Sequence, residues 1–258
     1  MPTNSDTDAI EGPWRRRVTT QLDSERFVLV TGGTRGIGEG VARHLASSGY
    51  RVIAASHSEA EIAAFRAQPG IETAILDVTS QDSVAQLLAG IPRLSGLVNC
   101  AGILQRGGAE FDIDRFRQTI EVNLVGTMRM CLAAKTALAA AGGSIVNTAS
   151  MLSFFGSAFV PGYSASKGGV AQLTKSLAAA WGADGIRVNA VAPGWIETEM
   201  TRPLAEDEAR SAALLARTPL GRWGKPDDIA SVVEFLLSEQ ARFVTGSIIP
   251  IDGGYLCV

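Results

Sequence analysis

Three glycines lie where the first apolar run of the chain gives way to a helix-like stretch. The run covers residues 26–31, the stretch covers residues 37–48, and Gly32, Gly36 and Gly38 lie at their junction. Glycine adopts backbone angles that other residues avoid, so the chain can turn sharply here from a strand into a helix. A strand that leads directly into a helix is typical of a parallel sheet covered by helices, and this junction therefore constrains the fold strongly.

The same alternation of strand-like runs and helix-like stretches continues along the chain. Because such alternation places strands side by side in parallel, the sequence predicts an α/β class, a single-domain Rossmann fold. We expect a doubly wound parallel sheet of about seven strands with helices on both faces. The further strand-like runs are residues 50–55, 73–76, 96–99, 144–148, 186–192 and 247–251.

Composition predicts one globular domain preceded by an arm. The chain has 258 residues, of which 46% are hydrophobic and 19% are charged, an ordinary globular balance. Residues 1–25 are polar and contain no apolar core, so we expect a flexible N-terminal arm rather than a signal peptide, followed by the domain at residues 26–258. A change in character at residues 195–224, with charged helical turns and two prolines, indicates a small lobe.

Charge and cysteine content limit the expected partners and compartment. A net charge of −3 gives no electrostatic reason to expect nucleic acid or a membrane as a partner. Cys100, Cys131 and Cys257 are odd in number and lack zinc-site spacing, so neither a disulfide framework nor a metal is expected. Free thiols are typical of the cytoplasm, which is the expected location.

Ser150, Tyr163 and Lys167 form the most informative set of polar residues. Tyr163 and Lys167 are four positions apart and therefore lie on one face of a helix. The ammonium of Lys167 is expected to lower the pKa of the Tyr163 phenol from its usual value near 10. Ser150 follows the strand-like run 144–148, whose end can bring the hydroxyl to this helix face. The set indicates an oxidoreductase that uses a nicotinamide cofactor.

These residues also carry a family resemblance. From residue 26 to residue 255 the chain resembles the classical short-chain dehydrogenases/reductases. The resemblance implies that Tyr163 is the general acid in reduction and the general base in oxidation, and that Lys167 lowers its pKa and holds the nicotinamide ribose. It also implies that Ser150 binds the substrate oxygen and that Asn123 holds a water linked to Lys167. The matching motifs are the glycine loop 31–38, residues 99–102, Asn123, the Ser-Tyr-Lys set and Pro193-Gly194.

The glycine loop is expected to bind the cofactor. A pyrophosphate can approach its backbone, and the N-terminus of the following helix favours negative charge. By resemblance, residues 77–78 contact the adenine, residues 99–102 lie behind the ribose, and residues 193–198 hold the nicotinamide. The expected cofactor-binding residues are Gly32, Thr34, Arg35, Gly36, Ile37, Gly38, Ser56, His57, Asp77, Val78, Asn99, Ala101, Gly102, Tyr163, Lys167, Pro193, Gly194, Ile196 and Thr198.

The choice between NADP and NAD depends on the end of the second strand. NAD-specific relatives have an acidic residue there, which accepts a hydrogen bond from the ribose 2′-hydroxyl. This chain has Ser56 and His57 at that point, and Glu59 comes later. Arg35 could pair with a 2′-phosphate. We therefore expect NADP as the preferred cofactor and NAD as the alternative.

The expected substrate is a small secondary alcohol or its ketone. Residues 149–154 and 210–224 resemble the sugar-acid branch of the family, which contains gluconate 5-dehydrogenases and 2-deoxy-gluconate 3-dehydrogenases, so a sugar acid, a polyol or a hydroxy ketone is expected. The family resemblance implies that the lobe at residues 195–224 is a substrate lobe. Arg106 could bind a carboxylate, but several apolar residues leave a cyclic or aryl ketone open. The expected substrate residues are Ser150, Leu152, Phe155, Tyr163, Trp195, Met200 and Arg106.

Two alternatives stay open at this stage. One is a 3-oxoacyl-(acyl-carrier-protein) reductase, although residues 137–141 and 177–180 lack the basic residues that would dock an acidic carrier. The other is a non-catalytic protein that binds a dinucleotide and senses redox state. The alanine- and leucine-rich segments 127–139 and 170–181, together with the apolar C-terminus, predict self-association as a homotetramer.

Overall fold

The computed structural model describes residues 26–66 and 68–258. The N-terminal arm predicted for residues 1–25 lies outside the described residues. Seven parallel strands form one sheet in the order β3-β2-β1-β4-β5-β6-β7. This order is doubly wound, since the chain moves outward from β1 in one direction and then from β4 in the other, and the predicted fold is confirmed. The strands are β1 Phe27–Thr31, β2 Arg51–Ser56, β3 Ile71–Ile75, β4 Gly96–Asn99, β5 Ser144–Thr148, β6 Arg187–Pro193 and β7 Ile248–Ile251.

Nine α-helices connect or follow these strands in the described part of the chain. A π-helical turn at Glu121–Val125 joins the two helices Ile113–Ile120 and Gly126–Ala139. The helices are α1 Gly36–Ser47, α2 Glu59–Ala64, α3 Gln81–Leu88, α4 Ile113–Ile120, α5 Gly126–Ala139, α6 Pro161–Trp181, α7 Arg202–Ala205, α8 Glu208–Ala216 and α9 Pro226–Leu237.

Helices cover both faces of the sheet. Alternate residues of β1 point to opposite sides, so Leu29 packs in one apolar cluster and Val28 in the other. The Leu29 cluster includes side chains of α3, α5 and α6, such as Leu138. The Val28 cluster includes side chains of α1 and α9, such as Val41 and Val233. All five residues of β1 are buried, as expected for a central parallel strand with both faces covered.

The topology brings the predicted site residues to one edge. Because all strands run in the same direction, their carboxyl ends lie at the same edge of the sheet. Five of these strands end at Thr31, Ser56, Asn99, Thr148 and Pro193. The crevice between the ends of β1 and β4, where the winding reverses, is the place where doubly wound sheets bind ligands.

No helix in residues 26–66 and 68–258 is both long enough and apolar enough to cross a membrane. Within the same residues, no group of three or more histidine, cysteine, aspartate or glutamate side chains could hold a metal ion.

Candidate active site

The glycine loop forms a tight cradle at the end of β1. Gly32 has a φ of +63° and Gly36 a φ of +54°, values that side chains disfavour. A Cβ on Gly38 would lie 2.1 Å from the carbonyl oxygen of Gly32, and a Cβ on Gly36 would lie 3.6 Å from the side chain of Thr198. The loop therefore closes on itself at Gly38, and at Gly36 it faces the segment after β6.

The N-terminus of α1 points out of this cradle. Arg35 is its N-cap residue and adopts an extended conformation, and among the described residues no side chain caps the first amides. Uncapped amides at a helix N-terminus are donors for an anion. The loop and helix thus fit the phosphate groups of a dinucleotide.

Ser150 and Tyr163 are brought together from different elements. Ser150 follows β5, and Tyr163 lies in the first turn of α6. The amide of Leu152 donates to Ser150 Oγ at 3.1 Å, which leaves the hydroxyl proton of Ser150 free to donate elsewhere. The Ser150 side chain lies close enough to the Tyr163 phenol to act on its pKa, which it lowers. The fold thus brings the strand-end hydroxyl near the helix-borne phenol, and their catalytic pairing stays a prediction.

Lys167 lies one helical turn after Tyr163, but its ammonium does not contact the phenol oxygen. Lys167 Nζ lies 5.6 Å from the centroid of the Tyr163 ring and donates to the carbonyl of Thr148 at 2.6 Å. Gly102 completes its surroundings, since a Cβ there would lie 3.8 Å from Nζ. The lysine thus links the end of β5 to the helix that carries the tyrosine.

The protonation of the two side chains differs from the sequence expectation. Burial raises the pKa of Tyr163 to about 12, and the neighbouring Ser150 side chain only partly opposes this. Burial lowers the pKa of Lys167 to about 8. The expected lowering of the tyrosine pKa is therefore absent in this geometry, because burial is the largest cause of the shift and the ammonium of Lys167 does not contribute to it. Near neutral pH Tyr163 is a protonated acid and Lys167 is mostly charged.

Asn123 lies in the π-helical turn and is completely buried. Its Oδ1 accepts a hydrogen bond from the amide of Ile103 at 2.8 Å, and its Nδ2 donates to the carbonyl of Ile103 at 2.9 Å and to Ser166 Oγ at 3.0 Å. Its own carbonyl accepts from Thr127 Oγ1 at 2.7 Å. The side chain therefore fastens the loop after β4 to α6, and its expected role in holding a water stays a prediction.

Sequence reasoning missed a buried carboxylate beneath the tyrosine. Glu110 is 1% exposed. Its Oε2 accepts a hydrogen bond from the amide of Tyr163 at 2.8 Å, and its Oε1 accepts one from the amide of Gln105 at 3.0 Å. Glu110 precedes a helix without any local pattern that marks it as buried, so no sequence signal could have identified it.

Comparisons with known proteins agree with this geometry. A family model described as enoyl-(acyl carrier protein) reductase matches residues 32–256. The 2-dehydro-3-deoxy-D-gluconate 5-dehydrogenase of Bacillus subtilis is 42% identical over 241 residues, which cover 90% of this chain and 94% of that protein. The 3-oxoacyl-(acyl-carrier-protein) reductase FabG of Pseudomonas aeruginosa is 40% identical over 240 residues, which cover 89% of this chain and 96% of that protein.

A solved structure gives the same result. The gluconate 5-dehydrogenase of Burkholderia cenocepacia J2315, in complex with NADP and tartrate, superposes with a TM-score of 0.85 at 34% identity and covers 90% of this chain and 96% of its own. This chain belongs to the short-chain dehydrogenase/reductase family. It is an NAD(P)-dependent oxidoreductase that acts on CH–OH groups. The predicted family and the predicted likeness to gluconate dehydrogenases are both confirmed.

In this short-chain dehydrogenase/reductase, an acidic side chain does reach the end of β2, from the helix that follows the strand. The carboxylate of Glu61, on α2, accepts hydrogen bonds from Ser56 Oγ at 2.6 Å and from Thr34 Oγ1 at 3.2 Å, and lies 3.3 Å from Arg35 Nε. Burial alone would raise the pKa of Glu61, but the hydrogen bond from Ser56 and the charge of Arg35 outweigh it and hold this pKa below its usual value. The sequence interpretation that no acid reaches this position is therefore wrong, and His57, expected at the same corner, is exposed.

The remaining predicted cofactor residues line the same edge of the sheet. Asp77 and Val78 follow β3: Asp77 accepts from the amide of Thr79 at 2.8 Å, and Val78 packs under Gly126 at the start of α5. Asn99 donates to Asn147 Oδ1 at 2.9 Å, while its own buried Oδ1 has no partner in the described residues. Ile37, at the start of α1, packs against the Val28 cluster, and the amide of Ala101 donates to Thr31 Oγ1. Pro193 ends β6, and the segment that follows it contains Gly194, Ile196 and Thr198.

Two predicted substrate residues, Phe155 and Trp195, lie in an aromatic cluster with residues that sequence reasoning did not identify. The ring of Phe155 lies 6.2 Å from that of Tyr255, and Tyr255 lies 6.2 Å from Trp195 in an edge-on contact. Trp195 also meets Trp223 at 6.1 Å. The guanidinium of Arg217 lies 4.4 Å from the centroid of the Tyr255 ring. Tyr255 lies near the C-terminus, and the sequence there gave no indication of this contact.

The other predicted substrate residues lie at the rim. Arg106, in the exposed loop after β4, donates to the carbonyl of Met200, in the segment before α7. Leu152 is half-buried beside Ser150. A cavity of about 610 Å³ lies on the outer side of the glycine loop and is lined by Arg35, Gly36 and Thr198 among others. The structure thus brings Arg106 and Met200 together, and it places Arg35 in the wall of the cavity beside the glycine loop.

Proposed function

We propose that this short-chain dehydrogenase/reductase interconverts a small hydroxy acid or polyol and the corresponding ketone, with NADP preferred and NAD as the alternative. The observation that carries the chemistry is the convergence of the Ser150 side chain and the Lys167 ammonium on the buried, protonated phenol of Tyr163. The names of the relatives support the substrate class, since one acts on 2-dehydro-3-deoxy-D-gluconate and another on gluconate.

The proposed roles follow from the geometry of the three side chains. When bound, the nicotinamide supplies or accepts the hydride. In reduction, Tyr163 Oη donates a proton to the substrate carbonyl oxygen. In oxidation Tyr163 Oη takes up the hydroxyl proton, which requires the deprotonated form that the raised pKa of Tyr163 makes scarce near neutral pH. Ser150 Oγ donates a hydrogen bond to the substrate oxygen, where negative charge develops. Lys167 supplies positive charge behind Tyr163 and is fixed by the carbonyl of Thr148.

Two arginines support an anionic substrate. Arg217 lies beside the aromatic cluster of Phe155, Trp195 and Tyr255 and is exposed. Arg106 lies at the rim and bonds the segment that leads into α7. We propose that residues 195–224 form a substrate lobe over the cleft, where a guanidinium would bind a carboxylate. Leu152 and Met200 would supply apolar contacts.

A substrate panel tests this proposal. Each coenzyme would be assayed with gluconate, 2-dehydro-3-deoxy-D-gluconate, a polyol, a cyclic hydroxy acid and an acyl-carrier-protein 3-oxoacyl thioester. The Tyr163→Phe variant serves as the inactive control. We expect the highest kcat/KM for a hydroxy acid or its ketone. Preference for the thioester would instead establish the alternative favoured by the similarity to the reductase of Pseudomonas aeruginosa. Coenzyme binding without turnover of any compound would leave only a dinucleotide-sensing function.

We further propose that the protein assembles as a homotetramer. Leu132 on α5 is 54% exposed, Phe111 is 71% exposed and Ile113 is 59% exposed, although all three are large apolar side chains. Large apolar side chains that are exposed in the single chain are candidates for contacts between subunits. Light scattering coupled to gel filtration would give four times the mass of one chain; a monomeric mass would contradict the proposal.

A further inference from the structure

A carboxylate occupies the polar corner formed by the glycine loop and the end of β2. Glu61 accepts from Ser56 Oγ at 2.6 Å and from Thr34 Oγ1 at 3.2 Å, and its other oxygen lies 3.3 Å from Arg35 Nε. The residues that supply both hydroxyls are nearly inaccessible, with Thr34 at 6% and Ser56 at 4% exposure. Glu61 therefore uses three of the groups that the corner offers to a ligand.

The local sequence would normally direct this carboxylate elsewhere. Ser58 caps α2, and the amide of Glu61 donates to Ser58 Oγ at 3.3 Å. In a Ser-x-x-Glu capping box the glutamate then reaches back to the amide of the capping serine. Here that amide donates to Ser56 Oγ at 3.2 Å, and the glutamate bonds the same hydroxyl from the other side. The carboxylate is thus diverted from its own helix into the cofactor corner.

The two coenzymes differ only in what they present at this corner. A 2′-phosphate is anionic and would need a guanidinium and hydroxyl donors, the groups that Glu61 already holds. A ribose 2′-hydroxyl is a neutral donor and can bond a carboxylate directly. Glu61 therefore opposes one coenzyme through charge repulsion and through competition for Arg35, while it offers an acceptor to the other.

We propose that Glu61 is a specificity-determining residue for the coenzyme: it competes with a 2′-phosphate for Arg35 and Ser56 and accepts a hydrogen bond from a 2′-hydroxyl. The inference rests on the proposed coenzyme use and adds to it that Arg35 is available to NADP only when Glu61 releases it. The preference for NADP is accordingly smaller than Arg35 alone would produce.

Coenzyme binding to the intact protein tests this directly. Dissociation constants for NADPH and NADH would be measured by fluorescence titration for the wild type, Glu61→Gln and Glu61→Ala. The matched control is Glu59→Gln, which removes the same charge from an exposed position in the same helical turn. We expect NADPH to bind about tenfold more tightly to both Glu61 variants, with NADH unchanged or weaker, because an ionic competitor has been removed. The control should change neither constant by more than about twofold.

Two outcomes would overturn the proposal. One is an NADPH affinity in both Glu61 variants that stays within the range of the control, and the other is an equal change for both coenzymes. Glu61→Gln retains an oxygen acceptor for Ser56, so it separates loss of charge from loss of packing, and thermal unfolding checks that each variant is folded. A wild type that prefers NADH would refute the proposed NADP preference, yet the effect of Glu61→Gln would still decide the role of Glu61.

A double substitution identifies the partner of Glu61. If the carboxylate acts by occupying Arg35, then Glu61→Gln should improve NADPH binding much less in an Arg35→Ala background, and the two effects are not additive. Full additivity would contradict competition for the guanidinium and so overturn that part of the proposal.

Discussion

The carboxylate of Glu110 accepts a hydrogen bond from the backbone amide of Tyr163 at 2.8 Å. Tyr163 is the third residue of α6, where a helix leaves amides without intrahelical partners, and the N-cap residue Val160 provides no side-chain cap. Glu110 therefore caps the helix from a distant part of the sequence. Because its other oxygen holds the amide of Gln105, the same carboxylate fixes the loop after β4 to the turn that carries the phenol.

Replacing Glu110 should therefore reduce both stability and turnover. Glu110→Ala leaves two amides without acceptors and is expected to lower the free energy of unfolding by about 2–4 kcal/mol. Glu110→Gln keeps one acceptor and should lose less. Urea unfolding measures the stability, and kcat at a temperature where both variants are folded measures the effect on Tyr163. The exposed Asp114→Asn is the control, and an equal loss there would rule out a specific role of Glu110.

Tyr163→Phe should remove nearly all turnover in both directions, by a factor of about 10³ or more, since the ring remains and only the proton-transferring oxygen is lost. Coenzyme dissociation constants should change by less than about threefold. Substantial residual kcat in steady-state assays would refute the acid/base role of the tyrosine. Ser150→Ala should reduce kcat less, because it removes one hydrogen bond to the same oxygen.

The pH dependence of reduction should follow Lys167 rather than Tyr163. Tyr163, whose pKa burial raises to about 12, stays protonated through the accessible range. Lys167, whose pKa burial lowers to about 8, loses its charge as the pH rises through that value. Reductase kcat/KM should therefore be constant near neutral pH and fall above about 8. The fall should be absent from the residual activity of Lys167→Met; a profile that is flat up to pH 10 in the wild type would contradict this assignment.

Arg35→Ala should weaken NADPH binding much more than NADH binding. The guanidinium lies 3.3 Å from Glu61 and is half exposed, so its loss removes the main positive charge at the 2′ corner. We expect a loss of about tenfold or more for NADPH and less than about twofold for NADH in fluorescence titrations. Equal losses for the two coenzymes would place Arg35 outside the recognition of the 2′-phosphate.

Two glycine-to-alanine substitutions should have opposite effects. In Gly38→Ala the new methyl group would lie 2.1 Å from the Gly32 carbonyl oxygen, so the loop must deform and coenzyme binding should fall by at least about tenfold. In Gly168→Ala, within α6, no described atom lies within 4 Å of the new methyl group. Helix propensity then predicts a gain of up to about 1 kcal/mol in stability. Titration and thermal unfolding distinguish the two, and normal coenzyme affinity in Gly38→Ala would disprove the cradle.

Local patterns were sufficient to predict the fold and the positions of the main site residues. The glycine loop and the i, i+4 spacing of Tyr163 and Lys167 each depend on a few neighbouring residues, which determine the turn and the helix face. The contacts of Glu61, Glu110 and Tyr255 depend on elements that are distant in sequence, so no local pattern indicates them. The pKa of Tyr163 could not be predicted for the same reason: burial is a property of the packed structure, whereas the charge of Lys167 is visible in the sequence.

The π-helical turn at Glu121–Val125 makes chain length a sensitive property of this segment, in addition to the identity of Asn123. Each residue advances a helix by about 100°. The extra residue allows Asn123 to face Ile103 and Leu124 to pack on Gly169 of α6, while α5 still presents its apolar side to the sheet. Removal of a single residue here would turn either Asn123 or the whole of α5 away from its contacts. Functional descendants of this protein should accordingly keep five residues in this turn and keep Asn123, while the other positions vary by substitution.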